Sequence, residues 1–122
     1  MNKQLRFSWI FLPLSWMGLI FYFSHQSVLP GPNVFGWDVL LKKCAHVAVY
    51  AGLFWCWFRF FQAVGWLRGR WSWPLMLILC LAYAVFDEWH QGWVPGRLMS
   101  PIDVGIDFLA SFLACLWSAR LL

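Results

Sequence analysis

Charge is what this sequence has least of. Nine Lys+Arg and five Asp+Glu among 122 residues make up 11%, less than half the roughly 25% of an average soluble domain. With 62% hydrophobic residues, a water-soluble fold of this length has no interior large enough to hide its apolar surface. Cysteine offers no framework either. Cys44, Cys56, Cys80 and Cys115 stand singly in apolar stretches, with no pair at metal-ligand spacing and none of the density of a secreted disulfide scaffold. They read as small packing residues. No cluster of basic residues explains the net charge of +4: the cations are spread one or two at a time between apolar runs, which excludes the basic face of a nucleic-acid binder. Lys3 and Arg6 precede an apolar run to Phe23, but no Ala-x-Ala-like cleavage site follows, so this segment is expected to remain as a first span.

What the sequence does have is four apolar segments of about 20 residues, the length that crosses a hydrocarbon layer of roughly 30 Å at about 1.5 Å per residue. Turn residues and charges place them at 5–23, 41–64, 71–90 and 101–122. The fold expected is an all-α membrane protein, a four-transmembrane-helix bundle in a single unit over 1–122. Pro13 should kink the first span or mark a helix contact. Arg59, near the end of the second, can snorkel to the headgroups. Pro30-Gly31-Pro32-Asn33 forbids a continuous helix between spans one and two. Gly65 to Arg70 reads as a tight basic turn, and Gln91 to Ser100, with Gly92, Pro95 and Gly96, as a short polar loop.

Four crossings put both termini and the second connection on one side. That side carries Lys3, Arg6, Arg59, Arg68, Arg70 and Arg120, six of the nine basic residues and no acid. The opposite side carries all five acids, Asp38, Asp87, Glu88, Asp103 and Asp107. By the positive-inside rule the first side is cytoplasmic, giving an N-in/C-in topology with the acids near the outer face. Trp66, Trp71 and Trp73 fall at the inner boundary and Trp37, Trp89 and Trp93 at the outer one, as interfacial belts require. Ala48 and Gly52, and Ala110, Ala114 and Ser118, recur at i, i+4 and offer close helix contacts.

Three helices carry polar stripes to one depth. Span two starts with Lys43, His46 and Tyr50; span three ends with Tyr83, Asp87, His90 and Gln91, with Glu88 beside them; span four starts with Asp103 and Asp107 and continues to Ser111. Spacings of three and four put each set on one helical face, and burying such groups in lipid costs several kcal/mol each, so they should face one another or a watery cavity. Lys43 and Arg97 suit an anion, Arg through a two-pronged contact. Crowded carboxylates, or His46 oriented by one of them, suit acid-base work. No metal site is assigned. Should one exist, Asp87, Asp103 and Asp107 are its expected ligands, because hard oxygens suit Mg²⁺ or Ca²⁺, but the spacing matches no metal signature and a divalent cation is not favoured. A blander reading has these groups pair only to fix helix register. For Asp38, Lys42 and His25, exposure in a loop is the simpler explanation.

The pattern Lys43-x-x-His46-x-x-x-Tyr50, then Asp87-Glu88-x-x-Gln91, then Pro95-Gly96-Arg97-x-x-Ser100-x-x-Asp103 resembles the VanZ-like family of bacterial membrane proteins. Ser24-His25-Gln26-Ser27 is similar to that family's serine-bearing segment after the first span. Three positions depart from the pattern: Lys42 stands where many members carry Asp, and Asp107 and Ser111 stand where Asn and Gly are common. The resemblance implies a multi-pass protein of the bacterial inner membrane, linked to the cell envelope and weakly to glycopeptide resistance; it implies no settled reaction and leaves open whether the protein is an enzyme. The site expected is an outward-facing one that binds or modifies an anionic envelope substrate, phosphate- or carboxylate-bearing and lipid-linked. Its acid-base groups would be His46, Asp87 and Glu88, and its substrate-binding groups Lys43, Tyr50, Gln91, Arg97, Asp103 and Asp107. The alternative is a noncatalytic membrane partner or scaffold with a structural polar cluster.

Overall fold

Why do these segments form helices and stop where they do? A computed structural model of the chain describes residues 2–25 and 37–122, and the side chains of all of these except residues 37–39. The connection containing Pro30-Gly31-Pro32-Asn33, together with Gln26, Ser27 and the side chains of Trp37 and Asp38, lies outside the described residues. The described residues form four long helices and no strand: α1 (Lys3–His25), α2 (Trp37–Val64), α3 (Ser72–Gln91) and α4 (Pro101–Ala119). All four are long and apolar enough to cross a membrane. The start of α2 precedes the expected position by four residues, because Trp37-Asp38-Val39-Leu40 contains no breaker after the Gly36 that ends the proline-bearing stretch.

Local chemistry sets the irregularities. Pro13 lacks the N–H that would bond the carbonyl of Trp9, and at that place α1 tightens into a 3₁₀ turn over Ser8–Ile10. Pro13 itself is buried. At the end of α2, Gly65 takes φ +81. Its N–H reaches the Gln62 carbonyl at 3.2 Å while the Trp66 N–H reaches that of Phe61 at 2.9 Å, and the Trp66 and Phe61 rings meet at 5.8 Å. This is a Schellman cap with its hydrophobic contact. Pro101 occupies the first turn of α4, where its missing N–H costs nothing.

The helices pack up-and-down. At one end Arg59 lies over the rings of Trp9 and Trp55, at 5.5 and 5.9 Å, and Trp55 meets Trp117 at 5.4 Å, which joins the start of α1 to the ends of α2 and α4. At the other end Lys43 of α2 pairs with Asp103 of α4, and His25 of α1 stacks on His90 of α3 at 5.4 Å. We call these the basic and acidic ends. Arg59 is thus half-buried between indoles by cation–π contact as well as placed near the helix end.

Helix α2 is the hub, packed on all three others and most extensively on α4. Its Tyr50, Leu53, Phe54, Trp57, Phe58 and Phe61 form the core with Met76, Cys80 and Ala84 of α3 and Ala110 and Cys115 of α4. Outward faces are apolar: Phe11, Ile78, Leu109 and Leu113 are exposed, a surface that suits lipid and not water. Cys56, Cys80 and Cys115 are buried packing residues as expected, whereas Cys44 is exposed. Trp66, Trp71, Trp89 and Trp93 are exposed, but Trp73 stacks on Phe54 and Phe58 at 6.5 and 5.9 Å, inside the bundle instead of in a belt. Of the small residues, Gly52 gives the closest approach: Trp16 of α1 lies against it and donates its indole N–H to the Val49 carbonyl at 2.8 Å.

Candidate functional site

Each stripe meets a partner on another helix at the acidic end. Besides the Lys43–Asp103 pair, His46 Nδ1 and Asp107 Oδ1 are 2.8 Å apart, and the Tyr50 hydroxyl donates to Asp87 Oδ2 at 3.1 Å. Gln91 Nε2 donates to the same oxygen at 3.3 Å and is 3.4 Å from Ser24 Oγ on α1. Ser111 donates to the carbonyls of Asp107 and Tyr50, at 3.0 and 3.3 Å. The Ser100 N–H donates to Glu88 Oε2 at 2.9 Å, which fastens the loop after α3 back onto that helix. Asp87, Glu88, Gln91 and Asp107 are all buried.

The loop owes its shape to two residues. The Arg97 N–H bonds the Val94 carbonyl at 3.1 Å, with Pro95 in the second position and Gly96 at φ +81 in the third. That is the pattern of a type II turn, in which Gly supplies the positive φ. Arg97 follows directly and is carried to the wall of a cleft of about 320 Å³. Its lining is apolar at Trp16, Leu19, Ile20 and Phe23 of α1 and at Leu41 and Val49 of α2, and polar at Ser24, Lys42, His46, Tyr50, Asp87, Gln91 and Arg97.

A sequence model of the VanZ/LLP1 family matches residues 9–121. The chain belongs to the VanZ/LLP1 family. No curated protein and no solved structure matches it significantly. It is a multi-pass VanZ-family membrane protein, and its four spans carry the matched region almost end to end.

Most of the expected site residues of this VanZ-family chain come together, but not as one equivalent set. His46, Tyr50, Asp87, Gln91 and Arg97 line the cleft, while Lys43 and Asp103 form a pair that does not line it. Two members of the α3 stripe turn elsewhere. His90 stacks on Phe21 at 4.4 Å, and the Tyr83 hydroxyl donates to the Met17 carbonyl at 2.5 Å. At about 100° per residue, Tyr83 and His90 occupy one flank of α3, facing α1, and Glu88 lies about 160° round from His90. His25 is exposed at the end of a helix, and Lys42 sits on α2 at the cleft wall; neither stands in a loop.

The candidate metal ligands differ from those expected. Asp87, Asp103 and Asp107 do not converge, because Asp87 serves Tyr50 and Gln91, and Asp103 serves Lys43. The group that does converge among the described residues is His46, Glu88 and Asp107, with ligand atoms within 4.8 Å of one another. Sequence reasoning missed Ser24 and Trp16 as cleft residues. The serine-bearing segment after the first span was a signal for Ser24, whereas nothing in the order of residues marks Trp16 among eleven tryptophans.

Proposed function

We propose that the acidic end of the bundle faces the cell exterior and binds or modifies an anionic, lipid-linked substrate of the bacterial envelope. One observation carries the reading: one cleft is lined both by apolar side chains of α1 and α2 and by His46, Tyr50, Asp87, Gln91 and Arg97. A molecule that is part hydrocarbon and part phosphate or carboxylate matches both kinds of lining at once. The hydrocarbon lies along Leu19, Phe23 and Leu41, and the headgroup meets Arg97, the side chain best shaped for two-pronged contact with an oxyanion. His46, Asp87 and Glu88 are then the groups available for proton transfer, the first two held by contacts from neighbouring helices and Glu88 by the Ser100 N–H of the loop. The reading further places both termini in the cytoplasm and the protein in the inner membrane, in keeping with the distribution of basic residues. The link to glycopeptide resistance belongs to the family resemblance alone.

The test is binding of a long-chain polyprenyl phosphate, such as undecaprenyl phosphate, to the protein in nanodiscs. Wild type should bind, and Arg97→Ala should weaken binding at least about tenfold, the scale of one lost charge-assisted contact of about 1.5 kcal/mol or more. Asp87→Asn, which removes a negative charge from the cleft wall, should bind at least as well as wild type. Unchanged binding in a correctly inserted Arg97→Ala protein would sink the reading.

A second reading, a noncatalytic partner protein, is favoured by the pairing itself: Lys43–Asp103, His46–Asp107 and Tyr50–Asp87 each staple two helices. It requires that any functional loss in these variants follow the loss of folded protein.

A further inference from the structure

The geometry points to a divalent-cation site formed by His46, Glu88 and Asp107, one ligand from each of α2, α3 and α4. Convergence is the first observation: one ring nitrogen and two carboxylate oxygens lie within 4.8 Å of one another. Ligand bonds of about 2.0–2.2 Å put three donors roughly 3–4 Å apart around one ion, so side-chain adjustments of up to about an ångström complete the set.

The second observation is independent of the first. Glu88 is 2% exposed and Asp107 0% exposed, yet each keeps an oxygen without a hydrogen-bond partner. Glu88 commits Oε2 to the Ser100 N–H and leaves Oε1; Asp107 commits Oδ1 to His46 and leaves Oδ2. Buried carboxylate oxygens in a helix bundle are held by a cation or by hydrogen bonds, because leaving them bare is costly. Asp103 stands as the contrast, since Lys43 neutralises it. A divalent ion among the three residues would balance two carboxylates and take up both unpartnered oxygens.

Donor type narrows the ion. One imidazole with two carboxylates suits the borderline transition metals, Mn²⁺ and Zn²⁺ among them, better than the oxygen-seeking Mg²⁺ or Ca²⁺. Three protein ligands also leave coordination positions for an outside oxygen. His46 belongs both to this set and to the cleft wall. Resting on the headgroup reading above, the ion would bind a phosphate oxygen of a molecule seated in the cleft.

The experiment uses the full chain in detergent, stripped with a chelator and titrated with Mn²⁺ under electron paramagnetic resonance, with Zn²⁺ as competitor. The expected result is one Mn²⁺ site per chain, displaced by Zn²⁺, with a melting temperature raised by metal. Glu88→Gln and Asp107→Asn should each weaken Mn²⁺ more than about tenfold, since even outer-shell changes cost 10–100-fold, while Asp103→Asn should retain it. Overturning results are a folded wild type that binds neither ion, or Mn²⁺ binding in both variants unchanged from wild type. Where a variant does not fold, the wild-type titration and its chelator-dependent melting decide. Polyprenyl-phosphate binding that survives in a metal-free protein removes the ion's contact with the headgroup and leaves the cation site to the titration; metal binding without lipid binding removes the headgroup reading and leaves the ion.

Discussion

Asp87 shows what one residue does here. It is buried, and a single carboxylate oxygen accepts from Tyr50 on α2 and Gln91 on its own helix. Asp87→Ala strands two donors in the interior, at a cost of about 1–3 kcal/mol for a buried unsatisfied group. Thermal melting in detergent should show a clear drop for this variant and a smaller one for Asp87→Asn, which keeps an oxygen in place. Tyr50→Phe removes one donor and leaves Gln91 to satisfy Asp87, so its loss should be the smallest of the three. Equal melting for Asp87→Ala and wild type would remove this network from the account. Lys43–Asp103 contrasts with it: with 37% of the Lys43 side chain exposed, a double-mutant cycle should return about 1 kcal/mol or less. Sequence spacing was enough to put these residues on faces. It was not enough to separate Asp87 from Tyr83 and His90, because a stripe of about 100° is wide enough to touch two neighbouring helices.

At the scale of the helix, glycine and proline decide contact. A Cβ on Gly52 would lie 2.5 Å from Trp16 Cζ2, and an indole hydrogen-bonded to Val49 cannot swing aside freely. Gly52→Ala should destabilise by about 1–3 kcal/mol, the usual cost of overpacking, and should also disturb the cleft that Trp16 lines. Melting and polyprenyl-phosphate binding, measured together, check both effects. Gly18→Ala is the control: nothing lies within 4 Å of its added Cβ, so it should be neutral or slightly stabilising. Gly65→Ala must hold an L side chain at φ +81 and should cost about 1–2 kcal/mol. Among these, the glycine and proline punctuation was readable in advance. The approach of Trp16 was not, because it joins residues 33 positions apart.

For the whole molecule, orientation is the property with the widest consequences. If the basic end faces the cytoplasm, a fluorescent protein fused after Leu122 should light up and alkaline phosphatase in the same place should stay inactive. The opposite pair of signals would put the cleft on the wrong side for an envelope substrate. Arg68→Glu with Arg70→Glu should weaken that preference, because both charges sit in the short α2–α3 turn where positive-inside bias acts most strongly.

The sequence by itself determined that the chain crosses a membrane four times, that polar side chains gather at one end of three spans, and the family, because helix length, period and motif spacing are local properties. Only the packed bundle decided which polar groups meet. Pairing His46 with Asp107, leaving Glu88 and Asp107 each with a bare oxygen, and setting the cleft against α1 depend on helix rotation and crossing. Those are fixed by side-chain volumes such as Trp16 on Gly52, summed across helices that are distant in the chain.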